Sequence, residues 1–176
     1  MRHKLKYSGL LWLIMLIVLG VNLQSAMAKG RAKFDWQAPS QVKPYPDLQR
    51  YPHAWFDVSL KRQRLFVKNG HHTLYTMIIS SGEKATTPRG TFAIQAERGA
   101  SFYNERLQEG ANYWTSFLDH GVYLFHTVPT KADGRYNVSE AKRLGRPASH
   151  GCVRLTVADA KWLNESAPTG MKVVIH

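Results

Sequence analysis

The chain has 176 residues and a formal net charge of +12, from 24 lysines and arginines against 12 aspartates and glutamates. This length suffices for one domain with a substantial core and excludes two domains of ordinary size. The basic residues are spread along the chain and form no clustered motif, which argues against nucleic acid as a partner. The single cysteine, Cys152, excludes an internal disulfide bond.

The first 28 residues have the pattern of a secretory signal peptide. Three basic residues among the first six precede an apolar run over residues 10–21. The small-x-small pattern Ala26-Met27-Ala28 follows, so cleavage is expected after Ala28. The alternative is an uncleaved anchor, which would be the chain's only contact with the membrane. The apolar run is, however, shorter than the roughly 20 residues that a spanning helix needs.

If the protein is exported, its net charge and its lone cysteine indicate which partners and which chemistry to expect. Cleavage would remove three basic residues and no acidic ones, leaving a charge of +9. A basic exported protein is attracted to anionic polymers, so we expect wall polymers as partners and the cell wall or outer envelope face as the location. A lone thiol outside the cytoplasm is typical of a reactive nucleophile; the alternative is a buried, inert cysteine. Nothing in the pattern indicates an oligomer, and a monomer is expected.

Residues 29–52 are rich in proline and polar residues and show no sustained period. They are predicted to be a linker or an N-terminal extension of the domain that begins at residue 53. Short apolar and β-branched runs between turn residues then predict a mainly β, sandwich-like mixed fold with short helices. The Asn69-Gly70 pair predicts a hairpin turn, since both residues tolerate positive φ. The predicted strands cover residues 54–60, 64–68, 72–80, 91–97, 113–118, 121–128 and 171–175.

Two short helices are predicted among the strands. Residues 139–144 begin with Ser139 as the cap and stop before a glycine. Residues 156–166 begin with Thr156 as the cap, and Asp159 three residues later gives a weak capping box. Apolar residues on one face of this second helix predict that the face is buried.

The segment 148–155 carries the strongest chemical signal in the chain, because it places a histidine two residues before the only cysteine. A thiol becomes a useful nucleophile only as thiolate, so it needs a base or a positive field nearby. His150 shares a face with Cys152 if the segment is extended. His126 is a second candidate base and lies at the end of an apolar strand, where a satisfied core histidine is the alternative interpretation.

Several neighbours of the cysteine suit substrate binding. Gly151 lets the backbone approach a substrate, and the N–H of Cys152 is a natural donor to an oxyanion. Arg154 can bind a carboxylate through two hydrogen bonds, and the alternatives are a surface arginine or an internal hydrogen-bond hub. Tyr113 and Trp114 are candidates for lining a substrate groove, although most aromatics of a small domain belong to its core.

This segment and its surroundings resemble the L,D-transpeptidase (YkuD-type) catalytic domain family. Ser149-His150-Gly151-Cys152, followed by an apolar residue and arginine, is similar to the family's active-site signature. Thr87-Pro88-Arg89-Gly90 resembles the family's Thr-Pro-x-Gly turn. The resemblance covers nearly all of residues 54–176 and so assigns residues 53–176 to a catalytic domain. The other similar segments are residues 58–67, 144–149, 158–160 and 170–175.

The resemblance implies a YkuD-like fold, no cofactor and a reaction on the cell wall. Cys152 would attack the L-to-D peptide bond of a peptidoglycan stem tetrapeptide and release D-Ala. His126 would be the general base, oriented by a nearby backbone carbonyl such as that of Thr127, with His150 as a competing base. Transfer to an amine acceptor would give a cross-link, and transfer to water would give L,D-carboxypeptidase activity. The supporting residues that the family motif implies are Thr127, Ser149, His150 and Gly151.

Two features depart from the family pattern. The gap from His126 to Ser149 is 23 residues, whereas the family usually has a spacing in the mid-teens. Residues 130–143 are therefore predicted to be an insertion, a loop with a short helix that covers or reshapes the cleft. Arg154 stands where some family members carry asparagine. Both departures concern acceptor specificity more than the class of reaction.

Two other interpretations follow from the same residues. A zinc site would take His126, His150 and Cys152 as three ligands, but the chain has no Cys-x-x-Cys or His-Glu-x-x-His pattern, and no metal is predicted. A non-catalytic peptidoglycan-binding module would explain the basic charge and the aromatic strands without using the cysteine. The sequence leaves open whether the stem peptide carries diaminopimelate or lysine.

Overall fold

The strands follow the alternation of apolar and polar side chains along the chain. In the first strand Phe56 and Val58 are fully buried, whereas Trp55 and Asp57 point to the opposite face. The computed structural model describes residues 35–176. The predicted signal peptide, 1–28, lies outside the described residues.

Within residues 35–176 the chain forms nine strands and two α-helices, with two single 3₁₀ turns over Leu48–Arg50 and Glu83–Ala85. The strands are β1 (Ala54–Ser59), β2 (Arg64–Asn69), β3 (His72–Ser80), β4 (Gly90–Ala93), β5 (Arg98–Asn104), β6 (Glu109–Leu118), β7 (Tyr123–Thr127), β8 (Val153–Leu155) and β9 (Lys172–Ile175). The helices are α1 (Val138–Ala141) and α2 (Val157–Ser166).

All nine strands belong to one mixed sheet in the order β4-β9-β1-β2-β3-β8-β7-β6-β5. The pairs β1–β9 and β7–β8 are parallel, and the other neighbours are antiparallel. The sheet curls, because the chain after β4 bonds to β6: Gln95 N–H donates to Ser116 O at 2.8 Å, and Ser116 N–H donates to Glu97 O at 2.9 Å. The predicted mainly β fold with short helices is confirmed.

The curled sheet encloses the core together with α2. The ring centroids of Phe117 and Phe125 lie 4.8 Å apart, and those of Phe56 and Phe125 lie 6.1 Å apart. Leu163 of α2 is fully buried against them in the same cluster. Each fully buried aromatic or aliphatic side chain of this kind stabilises the fold by about 1.5–3 kcal/mol.

Residues 35–52 form an extension that satisfies backbone groups of the domain. The carbonyls of Trp36 and Gln37 accept hydrogen bonds from the first N–H groups of α2, at 3.0 and 3.2 Å. The side chains of Ser40 and Gln41 accept bonds from N–H groups of β3, at 2.9 and 2.8 Å. The extension therefore covers a helix end and the part of β3 that does not pair with β8.

The extension is held by a buried carboxylate on α2. Asp159 is fully buried and accepts hydrogen bonds from the hydroxyls of Ser40 at 2.5 Å and Tyr45 at 2.7 Å. The predicted cap is confirmed, since the Thr156 hydroxyl accepts from Asp159 N–H at 3.1 Å. The Asp159 carboxylate does not complete a capping box, because the extension uses it. No helix within residues 35–176 has the length and apolar character needed to cross a membrane.

Three local predictions were wrong or incomplete. The β5–β6 hairpin, from Arg98 to the middle of β6, was not predicted, because its residues are polar and half exposed. The predicted strand 91–97 ends at Ala93, where the chain turns toward β6. The first helix is capped by Asn137, whose side chain accepts from Glu140 N–H, and Ser139 lies inside the helix.

Candidate active site

The parallel pairing of β7 and β8 places the candidate base and nucleophile on one face of the sheet. His126 is in register with Arg154, and Phe125 with Val153. Side chains two residues apart in a strand share a face, so Cys152 lies on the same face as Arg154 and His126. Phe125 and Val153 point the other way, into the core. Both His126 and Cys152 line the same cleft.

His126 is held in one orientation at the floor of this cleft. Its side chain is 3% exposed, and its Nδ1 lies 2.7 Å from the carbonyl oxygen of Thr127. A carbonyl can only accept, so Nδ1 carries the proton and Nε2 is left free to take one. The Phe102 ring packs edge-on against the imidazole, with centroids 5.8 Å apart. The prediction that a backbone carbonyl, that of Thr127, orients His126 agrees with this geometry.

Burial keeps the imidazole neutral. The pKa of His126 is lowered to about 4, first by burial and then by the nearby positive charge of Arg154; the bond to Thr127 opposes this shift. At neutral pH His126 is therefore an unprotonated base. A neutral imidazole is the form that can accept a proton from a thiol.

Cys152 is a half-buried thiol in its protonated form. Burial raises its pKa to about 11, and the negative charge of Glu109 adds to the rise. A backbone hydrogen bond from Leu124 and the charge of Arg154 act in the opposite direction. The thiol lies 3.6 Å from the carbonyl oxygen of Val122, the long hydrogen bond typical of sulfur. Burial thus favours the neutral thiol and the neutral imidazole over thiolate and imidazolium.

A tight turn presents Cys152 at the start of β8. The Ser149 hydroxyl donates to the carbonyl oxygen of Cys152 at 2.5 Å and accepts from Gly151 N–H at 3.1 Å. Gly151 has a φ of 151°, and a Cβ there would lie 3.1 Å from the Tyr123 ring and 3.3 Å from the Thr86 carbonyl. Only glycine fits this turn without displacing its neighbours. Ser149 and Gly151 therefore shape the loop that carries the candidate nucleophile Cys152, hereafter the nucleophile loop.

Thr87 anchors the same loop from the Thr-Pro-x-Gly turn, and sequence reasoning missed its role. Its buried hydroxyl donates to the carbonyl oxygen of Gly151 at 2.8 Å and accepts from Gly82 N–H at 2.7 Å. The backbone of Ser81 also accepts from Ser149 N–H at 3.0 Å. The turn was recognised by its resemblance to the family, but its contact with a loop 64 residues away has no local signal.

The cleft is about 250 Å³ in volume and mostly apolar. One wall is the β5–β6 hairpin, the floor is β7, and the nucleophile loop closes the far side. This hairpin supplies cleft residues that the sequence did not indicate. The lining residues are Phe102, Asn104, Leu107, Glu109, Trp114, Gly121, Val122, Leu124, His126, Ser149, His150 and Cys152.

Arg154 does not lie open to a ligand, so its predicted role in binding substrate is corrected. Its side chain is 2% exposed and does not line the cleft. Its guanidinium donates to Glu109 at 2.7 and 2.9 Å and to Glu140 at 2.9 Å. The alternative of an internal hydrogen-bond hub describes this arrangement.

The predicted insertion, residues 130–143, is connected to the site through the two carboxylates that bind Arg154. Residues 130–143 pair with the start of β6, where Thr130 and Gly110 exchange backbone hydrogen bonds at 2.7 and 3.0 Å. Glu140, from α1 of the insertion, is shared between Arg154 and Arg143. No residue of 130–143 lines the cleft described above. The insertion therefore supports one cleft wall and does not cover the opening.

Of the two aromatic residues predicted to line the substrate groove, only one lies in the cleft. Trp114 lines the cleft, whereas Tyr113 packs against the core and under Lys161, so its predicted substrate contact is corrected. Tyr113 also has a φ of 51° within β6. Gly99, across the sheet, gives room to the Trp114 indole, since a Cβ there would meet it at 2.6 Å.

The position of His150 bears on both the competing base and the alternative metal site. His150 is exposed at the rim of the cleft, in contrast to the buried His126. Within residues 35–176, no three histidine, cysteine, aspartate or glutamate side chains are grouped closely enough to hold a metal ion. His126, His150 and Cys152 are thus cleft residues that do not form a ligand set in this geometry.

Comparison with known proteins gives consistent matches. The family model for the L,D-transpeptidase catalytic domain (YkuD) matches residues 53–175. A Bacillus subtilis (strain 168) protein named "Putative L,D-transpeptidase YciB" is 46% identical over 158 residues, covering 88% of this chain and 80% of that protein.

Solved structures show the same fold at low identity. An L,D-transpeptidase from Mycobacterium smegmatis has a TM-score of 0.57 and 17% identity, covering 70% of this chain and 58% of that one. An L,D-transpeptidase (Yku) from Stackebrandtia nassauensis has a TM-score of 0.53 and 20% identity, covering 82% and 62%. This chain therefore spans about three fifths of those solved chains.

Proposed function

This chain belongs to the family of L,D-transpeptidase catalytic domains, and we propose that it acylates Cys152 with a peptidoglycan stem tetrapeptide and transfers the acyl group to an amine. The observation that carries the proposal is the placement of His126 and Cys152 on one face of an apolar cleft, with Nδ1 of the histidine fixed on a carbonyl.

Because the Cys152 thiol and the His126 imidazole both start neutral, the proton transfers follow a definite order. Nε2 of His126 takes the proton of the Cys152 thiol as the sulfur attacks the carbonyl of the L-to-D peptide bond. The resulting imidazolium gives this proton to the nitrogen of the departing D-Ala. The C–N bond breaks, a thioester remains on Cys152, and His126 returns to its neutral form. Burial favours this last step, because it holds the imidazolium at a low pKa.

The tetrahedral intermediate needs hydrogen-bond donors for its oxyanion. We assign this role to backbone N–H groups of the nucleophile loop near Cys152. The N–H of Gly151 already donates to Ser149 Oγ in the resting protein. The N–H of Cys152 itself is therefore our first candidate. Thr87 fixes its direction by binding the carbonyl of Gly151, which lies in the same peptide plane.

We propose further that the protein is exported, with cleavage after Ala28, and acts as a monomer at the cell wall or outer envelope face. After cleavage its net charge of +9 supports attraction to anionic wall polymers. One candidate contact is the outward face of β1, β2 and β9. There Trp55 lies between Lys68 and Lys172, whose ammonium groups are 5.3 and 5.0 Å from its ring centroid. Lys68 also pairs with Asp57 of the same face at 3.0 Å.

The test is incubation of the protein with disaccharide-tetrapeptides that carry either diaminopimelate or lysine, followed by mass spectrometry of products and protein. We expect release of D-Ala, a thioester adduct at Cys152 and cross-linked dimers. A Cys152→Ala variant is expected to lose at least about a thousandfold of the activity. Release of D-Ala without dimers would indicate an L,D-carboxypeptidase. If neither donor gave D-Ala or an adduct, a non-catalytic wall-binding module would replace the proposal.

A further inference from the structure

The cleft contains one acidic side chain whose position suggests how the acyl acceptor is chosen. We propose that Glu109 holds the acceptor as an ammonium ion beside the thioester and so favours transfer to an amine over hydrolysis. This inference rests on the proposed acylation of Cys152 and makes Glu109 a specificity-determining residue. It names the acceptor class as a primary amine that carries a positive charge before it reacts.

Glu109 is the first residue of β6 and stands in the cleft wall. Its side chain is 22% exposed and lines the same cavity as His126 and Cys152. Most of the surrounding wall is apolar, including Phe102, Leu107 and Trp114. A carboxylate in such a wall attracts a cation more strongly than one surrounded by bulk water.

The charge of this carboxylate is only partly neutralised. Glu83, Arg143, Glu140, Arg154 and Glu109 form a chain of ion pairs in that order. Three carboxylates and two guanidiniums leave one net negative charge. The charge nearest the cleft is that of Glu109, because Arg154 is 2% exposed behind it. Glu109 therefore places a carboxylate, paired on its buried side with Arg154, in the cleft wall of a chain whose net charge is +12.

The chemistry of deacylation explains why this charge discriminates. An amine approaches mainly as ammonium, binds Glu109, and loses one proton to solvent, so that His126 stays neutral. The neutral amine attacks the thioester carbonyl; the C–N bond forms and the C–S bond breaks. The second proton of the nitrogen passes through His126 to the departing sulfur of Cys152. Water is uncharged and is attracted to Glu109 less than an ammonium ion is, so the amine is selectively concentrated at the thioester.

The chain offers a matched control for the test. Glu109 and Glu140 both accept hydrogen bonds from Arg154, but only Glu109 lines the cleft. Glu109→Gln and Glu140→Gln therefore each remove one carboxylate partner of Arg154 and one negative charge. Only Glu109→Gln takes the carboxylate from the cleft wall, whereas Glu140→Gln also removes a partner of Arg143. Two small nucleophiles serve as probes: glycinamide, which is largely cationic near neutral pH, and hydroxylamine, which is uncharged there.

Each protein is acylated with the tetrapeptide donor, and aminolysis is measured relative to hydrolysis by mass spectrometry. Glu109→Gln is expected to lower the glycinamide-to-water ratio about tenfold, the effect of one charge-assisted contact. The hydroxylamine-to-water ratio should change less than about twofold, and Glu140→Gln should leave both ratios near those of the unmodified protein. In the unmodified protein, raising salt from about 0.05 to about 0.5 M should selectively weaken glycinamide transfer.

Three results would overturn the inference. An unchanged glycinamide ratio in Glu109→Gln excludes the carboxylate as the acceptor site. If both variants lowered the glycinamide ratio equally, or if one variant lowered the ratios of both probes equally, the effect would come from Arg154 and the fold and not from the Glu109 carboxylate. Failure of the unmodified protein to form an acyl-enzyme would remove the proposed function together with this inference, and is distinguished by the missing adduct. If Glu109→Gln does not fold, the salt dependence with the two probes decides the question.

Discussion

The cleft and the outward face of β1, β2 and β9 belong to one sheet but expose different charged side chains. The cleft wall carries Glu109, backed by a buried arginine that already has two carboxylate partners. The outward face carries Lys68 and Lys172 around Trp55. The net charge of +12 therefore describes the surface of the protein and not its site. A basic protein can use an acidic cleft when the two regions meet different partners.

The largest effect that distinguishes the two regions should come from the base in the cleft. His126→Gln removes the group that takes the thiol proton, and we expect acylation by the tetrapeptide to slow by about a hundred- to ten-thousandfold. His150→Gln is the matched control, because His150 lies at the exposed rim of the same cleft. It should slow acylation by less than about tenfold. The reverse order of effects would assign the base to His150.

The protonation state of the resting pair can be measured on the thiol. Because burial raises the pKa of Cys152 to about 11, the thiolate fraction at neutral pH is small and rises with pH. Alkylation by iodoacetamide should therefore accelerate about tenfold per pH unit from pH 7 to 10, followed by intact mass. A plateau reached below about pH 7 would indicate a thiolate–imidazolium pair and contradict the neutral one.

The third prediction concerns the contribution of the buried arginine behind the cleft to the stability of the fold. Arg154→Met would leave Glu109 and Glu140 facing each other without the charge between them, and should lower the free energy of unfolding by about 3–5 kcal/mol. Arg143→Met is the comparison, since Arg143 also pairs with Glu140 but is 30% exposed. Its cost should stay below about 1 kcal/mol. Urea unfolding measures both, and equal costs would show that burial of Arg154 does not determine its contribution.

These residues also show where prediction from sequence succeeds. The strands from β1 to β3 and helix α2 were predicted because alternation, the Asn69-Gly70 turn and the Thr156 cap act over a few residues. Cys152 and His126 were predicted as site residues from a motif and from their order along the chain. The structure brings these two side chains to one cleft.

The missed residues share a different property. Arg154 is separated from Glu109 by 45 residues and from Glu140 by 14, so the carboxylates that hide it have no local pattern. The same holds for Thr87, whose partner Gly151 lies 64 residues away. The β5–β6 hairpin is half exposed and polar, and its register depends on pairing within the folded sheet. Sequence patterns report local geometry, whereas these contacts depend on topology.

The smallest expected effect concerns the outward face and its attraction to anionic wall polymers. Lys68→Gln with Lys172→Gln removes both ammonium groups beside Trp55 while leaving the cleft unchanged. Retention on isolated wall material that carries anionic polymer should weaken about three- to tenfold, since exposed ion pairs each contribute at most about 1 kcal/mol.

The matched control for this face is Lys131→Gln with Lys142→Gln, which makes the same change in net charge on exposed lysines of the insertion. If binding depends on the arrangement around Trp55, the control pair should weaken retention by less than about twofold. Walls stripped of anionic polymer should retain all three proteins equally. Equal weakening by both pairs would mean that the wall responds to net charge alone, and the outward face would then have no role as a specific contact.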